Sequence, residues 1–472
     1  MMKVLIAASE VAPIVKLGGL GDVIGSLPKA LEKVGVNADV VVPFFDNAKL
    51  EDRDVYKSLD LNIPFGGENN QVEVYKTKLP GTNVDVFLLK NYKYFSKGGR
   101  EAFANNISET EMFTFFDMAV VEYVKSEFNT YDLVHCNDWH TGLITHLLND
   151  ELGLERPATL FTIHNLLYQG KGGVDLVKDV GIYPGEHRLI DWDVSDGDLN
   201  LILQGITSSD YVNAVSPTYA REIVTQEFGK ELSEVIKGRE GRLTGILNGI
   251  DYSQFPRNYD SGNYTSAKKS YKEDIQKELK LENFRKPTFA FISRLDANQK
   301  GLDILIKIVP EIVKNGGQFV LLGTGDKEWE ANFAKLNEKE GLEGNVSVNI
   351  KFDVELANQI YAASDFLLVP SKYEPCGLIQ MIGMWYGSLP IVHEVGGLKD
   401  SVTDGVNGFS FDTYSSGRLL SAVQRAFKVY GTHLMDSMIE NAMKTDFSWD
   451  KSALEYKILY EKVVKLHEES FI

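Results

Sequence analysis

The sequence predicts an α/β protein made of two successive doubly wound domains that face each other across a deep cleft. In both halves, short apolar runs of strand length alternate with stretches of helical periodicity, the order that builds parallel sheets. Many of these runs end in polar or Gly-rich loops, and open sheets of this kind bind ligands at the carboxyl ends of their strands. Between residues 251 and 286 the chain turns polar and charged with few periodic apolar residues, which places the domain boundary there. The expected division is residues 1–248, residues 249–450 and a terminal helical segment, 451–472, that packs back on the first domain.

With 472 residues, 43% of them apolar and 25% charged, the composition is that of a globular protein with room for two or three domains. A net charge of -18 argues against nucleic acid or an anionic membrane as partner, because both select basic surfaces. Two cysteines, Cys136 and Cys376, suggest neither a disulfide framework nor a Cys/His metal cluster. The apolar opening, residues 4–8, reaches polar Ser9-Glu10 too soon for a signal peptide or a membrane span. It reads as the first buried strand of a cytoplasmic protein.

Residues 23–34 read as a helix with Val23, Ile24, Leu27, Ala30, Leu31 and Val34 on one face; Gly35 ends it, and residues 40–42 start the next strand. In the intervening loop, Lys16-Leu17-Gly18-Gly19-Leu20-Gly21-Asp22, glycines let backbone amides approach a phosphate and Lys16 adds charge. Such loops also serve tight packing alone, and without a Gly-Lys-Ser/Thr ending this one is not a Walker loop. Residues 51–130 are less regular, with alternation near 72–75 and 84–89 and a helix around 112–125. Strands follow at 133–136, 159–163, 211–215 and 244–247. The first two run into Asn137-Asp138-Trp139-His140 and His164-Asn165, polar ends that read equally well as loop caps.

The second half repeats the scheme with a strand at 289–293, a loop at 294–300, a helix at 302–314 containing Pro310 as a kink, and strands at 319–322, 347–350, 366–369 and 390–392. Residues 448–470 read as a terminal helix or helix pair. Glu374 follows the 366–369 strand, and the amides of Cys376, Gly377 and Leu378 at a new helix start are placed to bind an anion. The alternative is an ordinary loop with a solvated Glu374. Arg294 and Lys300 add a fork and a point charge suited to phosphate oxygens, or else a solvated loop. No carboxylate pair reads as a Mg²⁺ site.

Five motifs taken in order resemble bacterial glycogen synthases and plant starch synthases over nearly the whole chain. They are Lys16-x-Gly18-Gly19-Leu20-Gly21-Asp22, His164-Asn165, Asn248-Gly249-Ile250-Asp251, Ser293-Arg294-Leu295 with Gln299-Lys300-Gly301, and Glu374-Pro375-Cys376-Gly377-Leu378. The resemblance implies a GT-B fold of two Rossmann-like domains. It also implies a retaining, metal-independent transferase without a cofactor. Such an enzyme moves glucose from ADP-glucose, or in some members UDP-glucose, to the non-reducing 4-hydroxyl of an α-1,4-glucan or maltooligosaccharide.

Position by position, the resemblance implies a catalytic set of His164, Arg294, Lys300 and Glu374. Lys16, Arg294 and Lys300 would hold the diphosphate, and Glu374 would accept from the glucose hydroxyls. Amides of Cys376, Gly377 and Leu378 would bind sugar and phosphate, with Gly18 and Gly19 in the first loop. His164, beside Asn165, would line the sugar pocket with its carbonyl near the anomeric carbon. Asp138 and Asn248 would orient the sugar, while Glu10 and Asp22 would line the donor and acceptor side. Leu17 and Ile379 stand where most members have Thr, Phe352 stands for a donor-contacting Tyr, and the loop 294–300 is one residue longer than in most bacterial members. Ile382 stands where the wider retaining group often has a second Glu.

A retaining glycosidase would need a second carboxylate as nucleophile; this family instead implies same-face attack assisted by the leaving phosphate. Two other readings keep the fold: a small-acceptor enzyme that forms sucrose or trehalose, and a catalytically silent glucan-binding paralogue. Turnover separates the second, and acceptor choice the first. A NAD-dependent oxidoreductase lacks the second Gly-rich fingerprint with its ribose-binding acid.

Overall fold

Val4, Leu5, Ile6 and Ala7 offer apolar side chains to both faces of a strand, so they need a sheet covered on both sides. They form β1 (Lys3–Ala7), completely buried from Val4 onward. The computed structural model describes residues 1–51, 53–95, 107–183, 185–282 and 285–470. Residues 471–472 of the expected terminal segment and 283–284 of the polar stretch lie outside them. The chain divides into two units: Met1–Val215 with Ala220–Gly249 and Trp449–Ile472, and Ser216–Tyr219 with Ile250–Ser448.

In the first unit β1 is followed by β2 (Asn37–Pro43), β3 (Tyr56–Phe65), β4 (Glu68–Lys78), β5 (Asp85–Lys90), β6 (Leu133–Asn137) and β7 (Ala158–Ile163). Two short strands, β8 (Lys171–Gly173) and β9 (Asp198–Asn200), pair apart from the main sheet, and β10 (Tyr211–Ala214) and β11 (Leu243–Gly245) complete it in the order β11-β10-β7-β6-β1-β2-β5-β4-β3. The seven strands from β11 to β5 run parallel, and β4 and β3 continue antiparallel at one edge. β3 escapes a periodicity search because its first residues face solvent and only Leu61, Ile63 and Phe65 turn inward.

The second unit is built on β12 (Thr288–Ile292), β13 (Gln318–Gly323), β14 (Val346–Ile350), β15 (Phe366–Val369), β16 (Leu389–His393) and β17 (Phe409–Phe411), all parallel in the order β14-β13-β12-β15-β16-β17. Its helix Leu302–Lys314 runs through Pro310. In both sheets the strand order reverses direction beside one strand: β1 lies between β2 and β6, and β12 between β13 and β15. Loops leaving the sheet there diverge and open a crevice at the strand ends.

The polar stretch where the sequence places the domain boundary is in part a helix, Tyr264–Glu278. Its buried face carries Lys268, Lys272 and Gln276 with Tyr264 and Ile275, so apolar periodicity could not reveal it. Lys272 pairs with Asp365 at 2.5 Å. Lys268 Nζ donates to Ala362 O, Ser364 O and Tyr386 O at 2.9, 2.9 and 3.2 Å, at the ends of two helices. Burial lowers its pKa to about 7.

Lys268→Met, which keeps the stem and loses the donors, should destabilise the protein by about 1–3 kcal/mol: Ala362 O loses its side-chain donor, while Ser364 O keeps Ser388 Oγ and Tyr386 O keeps the Tyr259 hydroxyl. Between about pH 7 and the unfolded lysine value near 10.4, the unfolded chain binds the proton that the native one sheds, so this residue's contribution to stability rises with pH. Urea unfolding at pH 7 and 9.5 checks both points, since the variant should lack that part of the rise.

The last helix, Trp449–Glu469, is sewn onto the first unit. The Tyr460 hydroxyl meets His135 Nδ1 at 2.9 Å, Asn213 Nδ2 donates to the Tyr456 hydroxyl at 3.1 Å, and Lys457 Nζ donates to Val34 O at 3.0 Å. No helix among the described residues is long and apolar enough to cross a membrane.

Candidate active-site residues in the two units

In the first unit the loop after β1 folds around a carboxylate. Glu10 is buried and accepts from the backbone N–H of Leu17 and, at 2.7 Å, of Gly18. The sequence assigns such amides to a phosphate; here Glu10 occupies two of them. Lys16 Nζ is likewise paired with Asp22 Oδ1 at 2.7 Å on the exposed side. Gly18 is extended and precedes the helix Gly19–Lys33 without a side-chain cap, and a Cβ there would meet only Glu10 Oε1, at an ordinary contact distance of 3.4 Å.

The ends of β6 and β7 meet through Asp138. This residue holds φ 60° and ψ -179°, a region that side chains other than glycine avoid and that marks functional sites. Its Oδ1 accepts from the backbone N–H of His164 at 2.7 Å and of Asn165 at 3.3 Å. Burial pushes its pKa up to about 7 against the pull of these two amides. The carboxylate given to the sugar by sequence is thus engaged with the loop that carries His164. The His164 ring sits 2.9 Å from Asn137 Oδ1, and burial lowers its pKa to about 3. Asn165 Oδ1 accepts from Leu167 N at 3.1 Å. Asn248 is buried, and its Oδ1 has no hydrogen-bond partner among the described residues, an acceptor costly to leave unmade.

In the second unit the loops after β12 and β15 leave the sheet side by side, and their side chains converge on Glu374. Lys300 Nζ lies 2.7 Å from Glu374 Oε2, Ser371 Oγ donates to the same oxygen at 2.9 Å, and Gln299 Nε2 reaches Oε1 at 3.4 Å. Lys372 N donates to Gln299 O at 2.8 Å, and Gly301, at φ 70°, lies so near that a Cβ would run into Pro370 O. His393 at the end of β16 meets Ser371 O through Nδ1 at 2.8 Å. Gly397 N donates to Glu374 O at 3.1 Å. Glu374 is therefore no solvated loop residue.

Two sequence expectations change. The helix begins at Ile379 with Leu378 as its N-cap, so Cys376 and Gly377, the latter at φ 73°, belong to the turn before it. Arg294 does not join Lys300: its side chain is 61% exposed and pairs with Asp296 at 3.1 Å. Phe352 is 85% exposed. Gln299, Ser371 and Asn137 carry no charge and stand beside more conspicuous residues, so sequence reading assigned them no site role of their own.

Two family models match: the starch synthase catalytic domain over residues 3–238, and glycosyl transferases group 1 over residues 272–445. The glycogen synthase of Pseudothermotoga lettingae is 41% identical, with 98% of this chain and 99% of the relative covered. The chain belongs to the glycogen and starch synthase family. The glycogen synthase of Thermosipho melanesiensis is also 41% identical over 98% of this chain and 99% of its own. Among solved structures, the catalytic domain of starch synthase IV from Arabidopsis thaliana bound to ADP and acarbose superposes with TM-score 0.86 at 31% identity, covering 98% of this chain and 99% of that one. The sucrose-phosphate synthase of Thermosynechococcus elongatus, at TM-score 0.63 and 20% identity over 98% and 99% of the two chains, shares the fold. Both units are α/β with parallel-sheet cores, as in the GT-B fold of this family.

Proposed function

We propose that the protein transfers glucose with retention from ADP-glucose to the non-reducing 4-hydroxyl of an α-1,4-glucan. Membership of the family supports the reaction, and the buried Glu374, gripped by Lys300, Ser371 and Gln299, is the observation that carries the site. Lys300 and Arg294 bear the charge that grows on the diphosphate as its bond to the sugar breaks. Lys16 adds to that charge once it exchanges Asp22 for phosphate. Glu374 accepts hydrogen bonds from the glucose hydroxyls, and His164 and Asn248 meet the sugar.

The C1–O bond to phosphate breaks, a C1–O bond to the acceptor's 4-hydroxyl oxygen forms on the same face, and the hydroxyl proton passes to the departing phosphate oxygen. Neither a metal nor a covalent glucosyl intermediate is needed for that balance. The adenine preference rests on the starch synthase IV relative, which binds ADP.

Nucleotide release from ADP-glucose and UDP-glucose, measured in parallel with and without maltooligosaccharide and with EDTA present, tests the reading. Primer-dependent release with ADP-glucose preferred is the expected outcome. A preference for UDP-glucose would revise the donor, and no release with either donor in a protein that still binds glucan would replace the enzyme with a silent paralogue.

A further inference from the structure

Asn137 ends β6, and its side-chain amide can be oriented without ambiguity. Nδ2 lies 3.2 Å from Ala7 O and 3.2 Å from His135 O. Carbonyl oxygens only accept, so the atom facing them is the nitrogen, and the amide cannot be turned over. Oδ1 therefore faces His164 Nε2, 2.9 Å away. An amide oxygen also only accepts, so the hydrogen between them sits on Nε2.

With its pKa lowered to about 3 by burial, the ring is neutral near pH 7 and carries that one hydrogen. Nδ1 is left with a lone pair. It has no hydrogen-bond partner among the described residues, and His164 as a whole is half-buried. The backbone of the same residue is fixed, since its N–H donates to Asp138 at 2.7 Å. His135 differs in that both of its nitrogens are occupied, by the Tyr460 hydroxyl at 2.9 Å and by Thr162 Oγ1 at 2.7 Å.

We propose that Asn137 is a positioning residue that locks His164 as the neutral Nε2–H tautomer, so that Nδ1 accepts a hydrogen bond from a hydroxyl of the sugar being transferred. The lock follows from hydrogen bonds within the protein, while the hydroxyl partner rests on the glucosyl-transfer reading above. Asn137 acts through His164 and touches no substrate.

Long-range ¹H–¹⁵N correlation spectra of the full chain with ¹⁵N-labelled histidine report the tautomer directly. The signals of His164 are those missing from His164→Gln. Between about pH 6 and 8, where an unperturbed imidazole titrates, the wild-type ring should keep a non-titrating Nε2–H pattern. An Nδ1–H pattern or an imidazolium in that range would overturn the lock. Asn137→Ala should give a mixture of tautomers and a kcat lower by about tenfold, the worth of one neutral hydrogen bond, with KM for the nucleotide sugar changed less. A pure Nε2–H signal with full kcat in that variant would refute the role of Asn137. The wild-type spectrum decides the tautomer even if the variant fails to fold. An Nε2–H ring in a protein that releases no nucleotide would support the lock while removing the reaction.

Discussion

Lys300→Met and Glu374→Gln should each leave a folded protein whose kcat is lower by two to three powers of ten. In the roles proposed above, the removed group acts on charge or hydroxyls at the reacting sugar, an interaction worth roughly 3–4 kcal/mol in the transition state. The two side chains touch at 2.7 Å and are both largely buried, which sets the form of the experiment. Breaking a buried pair leaves the other charge exposed to desolvation, in general a loss of about 3–5 kcal/mol. Here Glu374 keeps Ser371 and Gln299 when Lys300 is gone, and glutamine at 374 keeps its volume and carries no charge. Stability should therefore fall by less than that range.

Steady-state kinetics and urea midpoints measured on the two single variants and the double variant separate the effects. Groups that work as a unit are non-additive, so the double variant should be scarcely slower than the worse single one. Full activity in either folded single variant would falsify the site.

That pair shows where sequence reading stops. Lys300 and Glu374 were both named from loop chemistry, yet 74 residues separate them in the chain, and their meeting depends on β12 lying beside β15. Periodicity finds strands; it does not order them. The same limit applies to Glu10: the loop amides were legible as an anion site, but the anion that occupies two of them is the chain's own carboxylate from seven and eight residues earlier. Asp138 was legible as a polar strand end, whereas its engagement with His164 N needs the β6–β7 register, in which Asn137 faces Thr162.

The helix Tyr264–Glu278 was hidden for a different reason. Its interior contacts are made by lysine amino groups on helix-end carbonyls and on Asp365, so the polar residues that suggest a domain boundary are the ones that bury it. By contrast, doubly buried strands such as β1 and β12 are largely apolar on both faces, and there the sequence pattern and the packing requirement are the same fact.

At the opposite ends of the first unit's strands, Asp210→Ala should lower stability by about 3–5 kcal/mol, the loss expected when one partner of a buried pair is removed, and leave kcat nearly unchanged. Asp210 precedes β10 and receives Arg156 at 2.7 and 2.8 Å, one nitrogen to each oxygen, together with Thr159 N at 2.7 Å. His467 of the terminal helix lies 3.4 Å away. This carboxylate thus joins the starts of β7 and β10 to the last helix.

Burial works to raise its pKa, but the hydrogen bonds and charge of Arg156, with His467 and Thr159, hold it well below the usual carboxylate range. A carboxylate depressed in the folded state stabilises the fold fully above its unfolded value of roughly 3.9 and loses that contribution as pH falls through the folded value. The difference in urea midpoint between wild type and Asp210→Ala should therefore be largest at pH 7 and shrink below about pH 4. Equal midpoints at pH 7 would remove the structural role. Nucleotide release by the same variant at 25 °C completes the contrast, because the pair at Lys300 and Glu374 should control rate while the cluster at Asp210 controls stability.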